Sequence, residues 1–394
     1  MAGYFVSYVY RSVNAIIGPD LAREFGLTAG GLGLLTGIYF FAFAAFQLPL
    51  GVLLDRYGPR RVNATLLLVA AAGGLWFALA PSAGQLVAAR AVIGLGVSGC
   101  LMSSLTAFAL WYPAERMATM NGIAFASGML GALAATVPLE LLLRVLHWRE
   151  VFYGIVALTL AVSLTLFLVV PERAPARQGE TLREQLRGYD TIARDPAFWR
   201  AALCIGASQM AAVSLGTLWV ATWLRDVAGY SQAEIARGLL AFGLAMIAGY
   251  VVFGRAADVM SRRGQSTVPL LAGGIAAASL CLLLLALGVR SGALVLWSIL
   301  FCGSTGAVLS YPLLARRYPK EMAGRVNTAL NVFVFIGMFS GQWAVGIVLN
   351  QWPQTPDGYA PEAYPWALGI LWLIQFAGLS WLWTGRRSFE PRAV

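Results

Sequence analysis

Apolar runs recur along the whole chain, at roughly 3–20, 33–54, 62–80, 86–111, 119–143, 151–170, 198–223, 234–254, 267–288, 292–315, 326–349 and 365–385. Each is near the ~20 residues a helix needs to cross the hydrocarbon core of a bilayer. Short polar turns separate them, except after the sixth run. There the long stretch PERAPARQGETLREQLRGYDTIARDP interrupts the series. The pattern predicts an all-α integral membrane protein of twelve transmembrane helices in two six-helix bundles. The expected boundaries are 1–171 for the first bundle, 172–197 for a cytoplasmic linker and 198–394 for the second bundle. A short amphipathic helix is expected in the linker around Leu182–Leu186. The first run has neither a basic leader nor an A-x-A-like site, so it is expected to remain as a span.

Composition agrees with this pattern. Of 394 residues, 59% are hydrophobic and only 12% charged, against about a quarter charged in a soluble domain. The surface is therefore expected to face membrane lipid. The net charge of +10 raises nucleic acid as a partner, but its placement excludes that reading. With the N-terminus in the cytoplasm, the inner loops and tail hold 20 Lys and Arg residues and the outer loops 6. That asymmetry is an insertion signal, and it places both termini in the cytoplasm, as expected of a bacterial inner membrane protein. Cys100, Cys204, Cys281 and Cys302 all lie in apolar runs without a C-x-x-C pair, and His147 is the single histidine. No metal site or cofactor is expected.

The two halves repeat each other. GVLLDRYGPRR at 51–61 and GRAADVMSRRG at 254–264 share Gly51 and Gly254, Asp55 and Asp258, and the arginine pairs Arg60–Arg61 and Arg262–Arg263, an offset of 258 − 55 = 203. At that same offset, Gly26 and Thr28 match Gly229 and Ser231. Tyr112, Pro113, Glu115 and Asn121 match Tyr318, Pro319, Glu321 and Asn327 at an offset of 318 − 112 = 206, and Gly131 matches Gly337. Three separate matches predict two parallel, pseudo-symmetric copies of one six-helix unit.

These motifs resemble the major facilitator superfamily over essentially the whole chain. Gly51–Arg61 is similar to that family's signature between helices two and three. Arg90, Gly94 and Gly96 match its R-x-x-x-G-x-G signature on helix four, and Trp148–Arg149 before helix six is also typical. The resemblance implies a secondary transporter in which two bundles rock about a central site. The helix-five antiporter signature has a Gly-Pro step that Gly128 and Gly131 here lack, so antiport is not supported by that motif.

Asp55 and Asp258 are placed to cap a neighbouring helix and to pair with Arg56, Arg60, Arg61, Arg262 and Arg263, with Glu115 and Glu321 as further partners. Such contacts would form in the outward-open state and break in the inward-open one. The alternative is that the arginines only enforce topology.

Arg11 is the sharper signal. An ionised side chain near the middle of a span costs several kcal/mol unless it meets water or a partner. Tyr4, Ser7, Tyr8, Arg11, Asn14 and Gly18 share one helical stripe. No carboxylate lies mid-span; Asp20, Glu140 and Glu150 lie near outer ends. Arg11 is thus a candidate anion receptor, with a purely structural arginine as the alternative. At the 203 offset Arg11 maps to Ser214, Asn14 to Thr217 and Pro19 to Thr222, so the charge is not duplicated. The YVYR stretch is similar to anion-carrying branches of the superfamily. The organophosphate branch adds an arginine on helix seven, where Ser214 stands here, which counts against phosphate esters. Nitrate porters carry arginines on helices two and eight, and neither core has one here.

Further candidates for the cavity are Tyr39, Gln47, Ser103, Gln209, Ser214, Thr217, Trp219, Tyr311, Asn327, Asn331 and Trp343, each equally able to join helices. Arg90, Gly94 and Gly96 are expected to be structural, permitting close helix packing. With no Walker loop, nucleophile elbow or metal cluster, the chain is expected not to be an enzyme or an ATP-driven pump. The expectation is a monomeric transporter of a small organic anion, a carboxylate-bearing metabolite. A zwitterion such as an amino acid or short peptide, or an exported drug, stands as the alternative substrate. Coupling to a proton or a counter-substrate is left open.

Overall fold

The computed structural model describes residues 1–112, 117–171, 189–318, 322–353 and 358–389. Every regular element among them is a helix. Among the described residues ten helices are long and apolar enough to cross a membrane, and the shorter apolar Ala29–Ala45 accompanies them. The first predicted span is built from Ala2–Ser12 and Asn14–Phe25, joined at Val13, whose dihedrals are helical. Its apolar character is diluted by Arg11, Asp20, Arg23 and Glu24. The chain separates into two compact units, Met1–Glu180 and Thr181–Val394. The expected helix around Leu182–Leu186 lies outside the described residues.

The repeat reappears as local chemistry at the start of the second and eighth spans. Gly26 (φ 61°) and Gly229 (φ 72°) both take the left-handed conformation that glycine adopts without steric cost. Two residues later Thr28 and Ser231 cap the next helices. The Thr28 hydroxyl accepts from the Gly31 N–H at 3.1 Å. Ser231 forms a full capping box with Glu234. Two matched residues thus specify one turn twice.

Packing inside each unit repeats as well. In the first, Ala2–Ser12 packs on Met117–Ala134, Ala29–Ala45 on Ala83–Val97, and Gln47–Leu79 on both Ala83–Val97 and Trp148–Val169. In the second, Pro196–Ser214 packs on Ala323–Leu349, Gln232–Arg262 on Ala293–Ser304, and Val268–Ala286 on both Ala293–Ser304 and Tyr364–Thr384. These are the same pairings shifted by six spans. The matched Gly131 and Gly337 stand at equivalent approaches: a Cβ on either would come within 2.2 Å of the Phe5 carbonyl oxygen or 2.6 Å of the Gly206 carbonyl oxygen. Small residues let backbones touch where lipid supplies no hydrophobic drive to associate.

Between the second and third spans the expected loop is almost absent. Gln47–Leu79 runs as one helical stretch broken only at Gly58 (φ 76°, ψ 159°), with Pro59 opening the next helix. All four cysteines are free thiols, and Cys302 alone of them is not fully buried.

Gly131→Leu is expected to lower the thermal unfolding midpoint of the detergent-solubilised protein, since overpacking costs about 1–3 kcal/mol or more. An unchanged midpoint would contradict the close approach.

Candidate functional site

Arg11 lies in the first unit with 8% of its surface exposed. Its guanidinium carbon stands 4.5 Å from the Tyr8 ring centroid and 5.8 Å from each of the Phe40 and Phe43 rings. Tyr8 precedes it by almost one turn, and both phenylalanines come from Ala29–Ala45. Aromatic faces attract a cation, by about 0.5–2 kcal/mol each according to desolvation. The Tyr4 hydroxyl donates to that of Tyr8 at 3.3 Å. Asn14 is fully buried and donates to the Thr36 hydroxyl at 3.1 Å.

Tyr39 joins this cage to the helix behind it, its hydroxyl within reach of Arg11. It is fully buried, and its hydroxyl donates to the Ser7 carbonyl oxygen at 3.1 Å. Its ring receives the Arg90 guanidinium at 5.1 Å. Arg90 is also fully buried, and none of its three guanidinium nitrogens is hydrogen-bonded among the described residues. Gly94, one turn on, is the point of closest approach: a Cβ there would lie 2.3 Å from the Tyr39 carbonyl oxygen. Gly96 faces Ala70 in the same way, at 2.3 Å from its backbone nitrogen.

In the second unit the candidates gather on a distorted span. Leu215–Trp219 is a π-helical turn between Pro196–Ser214 and Val220–Asp226, the kind of insertion often found at functional positions. Thr217 donates to the Val213 carbonyl at 2.7 Å and accepts from Gln342 Nε2 at 2.5 Å. The Trp219 indole donates to the Gln342 carbonyl at 3.0 Å. Ser214 turns its hydroxyl back to the Met210 carbonyl, and Gln209 is half-buried. Tyr311 donates to Asn331. Trp343 is 41% exposed.

The gating candidates are spread more widely. Arg56 stacks on Tyr57 at 5.3 Å and Arg60 on Phe167 at 5.0 Å. Gly51, Arg61, Asp258, Arg262 and Arg263 are exposed, except that Gly254 of the second copy is half-buried. The Asp55 side chain, and Glu115 and Glu321 entirely, lie outside the described residues.

Three carboxylates do more than the sequence indicated. Glu24 accepts from the Trp148 indole at 2.8 Å and pairs with Arg149 at 2.5 Å, which explains the Trp-Arg pair opening the sixth span. Glu24 and Trp148 border a cavity of about 360 Å³ lined also by Asp20, Arg23 and His147, at the predicted outer ends; Arg11 does not line it. Asp226, its side chain only 3% exposed, accepts from Arg225 Nε at 2.6 Å, the Tyr364 hydroxyl at 2.6 Å and the Tyr359 N–H at 3.1 Å. Asp195 caps the seventh span through the Ala197 N–H at 3.0 Å and takes Arg317 at 2.7 Å and the Tyr318 hydroxyl at 2.8 Å. Tyr318 belongs to the repeated Tyr-Pro motif. Its aspartate partner lies more than a hundred residues away, which no local pattern signals.

Residues 1–342 match the family model described as Major Facilitator Superfamily. The chain belongs to the Major Facilitator Superfamily. It is a transporter of that family, an integral membrane protein and not an enzyme. A protein of Cupriavidus necator named as a probable sulfoacetate transporter is 26% identical over 361 residues, covering 84% of this chain and 82% of that protein. A probable galactarate/D-glucarate transporter of Bacillus subtilis is 24% identical, covering 88% and 83%. The multidrug resistance protein Stp of Mycobacterium tuberculosis is also 24% identical, covering 92% and 77%. Among solved structures, an inward-facing, occupied bacterial homolog of the human lysosomal transporter Spinster superposes with a TM-score of 0.80 at 17% identity, covering 100% of this chain and 97% of that one.

Burial alone would raise the Asp195 carboxyl, but the hydrogen bonds from Arg317, Tyr318 and the Ala197 N–H hold it below its ordinary value of 3.8. A depressed carboxylate adds stability above its unfolded value and loses it as pH falls through the folded one. Asp195→Asn is therefore expected to lower the unfolding midpoint at neutral pH, with the gap from wild type closing below about pH 4. A pH-independent gap would contradict this.

Proposed function

We propose that the protein carries a small organic anion, bearing a carboxylate or sulfonate, across the membrane by alternating access, with Arg11 as its anion receptor. The observation that carries the reading is the Arg11 guanidinium held among the Tyr8, Phe40 and Phe43 rings within a membrane-spanning unit. A guanidinium is weakly hydrated and forks two donors towards carboxylate or sulfonate geometry. At the repeat offset the second unit has Ser214 and Thr217 where the first has Arg11 and Asn14, so the charge belongs to the first unit alone. The names of the sulfoacetate and galactarate/D-glucarate relatives support an anion of that size.

In this reading Tyr8 and Asn14 line the receptor, while Gln209, Tyr311 and Asn331 orient the body of the substrate. Asp55, Arg56, Arg60, Arg61, Asp258, Arg262 and Arg263 govern closure at the inner face. The protein acts as a monomer in a bacterial inner membrane with both termini in the cytoplasm, as the arginine distribution supports. Drug export is the second reading, favoured by the multidrug-resistance relative.

The test is uptake of sulfoacetate and D-glucarate into proteoliposomes. Arg11→Ala is expected to lose about two orders of magnitude in uptake, as for an unpaired buried charge contact, and Arg11→Lys most of it. Undiminished uptake in the alanine variant sinks the assignment. Ethidium efflux without anion uptake would transfer the protein to the second reading. A rate unaffected by an imposed pH gradient identifies exchange or facilitated diffusion.

A further inference from the structure

Arg90 is a fully buried cation that the transport reading does not use. Removing a guanidinium from water is costly even after the surroundings relax. The Tyr39 ring meets it at 5.1 Å, and Tyr10 also stands within electrostatic reach. Tyr39 is held at three points. Its backbone lies against Gly94, where a Cβ would come within 2.3 Å of the carbonyl oxygen. Its ring lies under Arg90, on the same helix as Gly94. Its hydroxyl donates to the Ser7 carbonyl at 3.1 Å and stands 3.4 Å from the Ser7 hydroxyl.

Ser7 is one helical turn before Arg11, and the Tyr39 hydroxyl is also within reach of Arg11 itself. Tyr39 further touches both phenylalanines of the Arg11 cage, edge-on to Phe40 at 5.2 Å and tilted against Phe43 at 6.2 Å. Tyr39 therefore contacts two of the three faces around Arg11 and the turn of helix that carries it.

We propose that Arg90 is a positioning residue of the anion site: stacked on Tyr39, it fixes the cage and the helical turn that aim Arg11, without touching substrate itself. The role rests on the reading of Arg11 as receptor. It gives the second buried arginine a function in specificity, because a preorganised guanidinium fork discriminates by geometry rather than by charge alone.

Two measurements on the full-length protein separate this claim from the one it rests on. The first needs no anion: the 15Nε–1Hε resonance of Arg11 in detergent, identified by its loss in Arg11→Lys. Arg90→Met is expected to displace it by more than a linewidth, with Arg90→Lys intermediate, since an ammonium holds the ring less firmly. A resonance unmoved in Arg90→Met overturns the proposal. Should Arg90→Met not fold, Arg90→Lys decides by the same criterion. The second is sulfoacetate uptake into proteoliposomes. Arg90→Met is expected to raise KM about tenfold, with the maximal rate within about twofold of wild type, as for misplacement of a binding group. A lowered maximal rate with unchanged KM overturns the proposal. Wild-type uptake that survives Arg11→Ala overturns the receptor reading instead, and the resonance still decides whether Arg90 positions Arg11.

Discussion

The first unit is organised around the contact between the Tyr39 hydroxyl and the Ser7 carbonyl. In a membrane no solvent compensates a misplaced polar group, so each must find its partner inside the bundle. Tyr39 joins the first, second and fourth spans through one side chain: hydroxyl to Ser7, ring to Arg90, backbone against Gly94. Two arginines that would each destabilise an isolated helix are accommodated because an aromatic residue stands between them. The second unit replaces this charged centre with neutral hydrogen bonds, in which Gln342 pins the π-helical turn through Thr217 and Trp219.

Carboxylates at the span ends play a complementary part. Glu24, Asp195 and Asp226 each gather donors from residues distant in sequence. None stands mid-span, where an ionised carboxylate would cost most. Their arrangement ties helix ends together and leaves the span interiors to small residues and aromatic faces.

The relatives are named for different cargoes on one fold, sulfoacetate and galactarate/D-glucarate for two of them and multidrug resistance for a third. Fold does not choose between them, because function resides in the site grafted on it. Under the proposed reading that choice turns on Arg11, a charge the repeat does not duplicate.

Much of the architecture was legible in the chain. The apolar runs located the helices, and the matched Gly26–Thr28 and Gly229–Ser231 pairs foretold two similar turns, because both depend on short-range periodicity and capping. Arg11, Asn14 and Tyr8 were legible as one stripe for the same reason. The near-absence of a loop at Gly58 was not, since one glycine and one proline turn the chain in less space than the polar run suggests. Nor was the buried position of Tyr39 between Arg90 and Ser7, the use of Gln342, or the partners of Asp226, 133 and 138 residues away. The sequence determined which residues form apolar helices and that one unit occurs twice. Only the tertiary structure decided which polar groups meet, because partners on different spans are chosen by helix rotation and close packing, and neither leaves a mark at any fixed spacing along the chain.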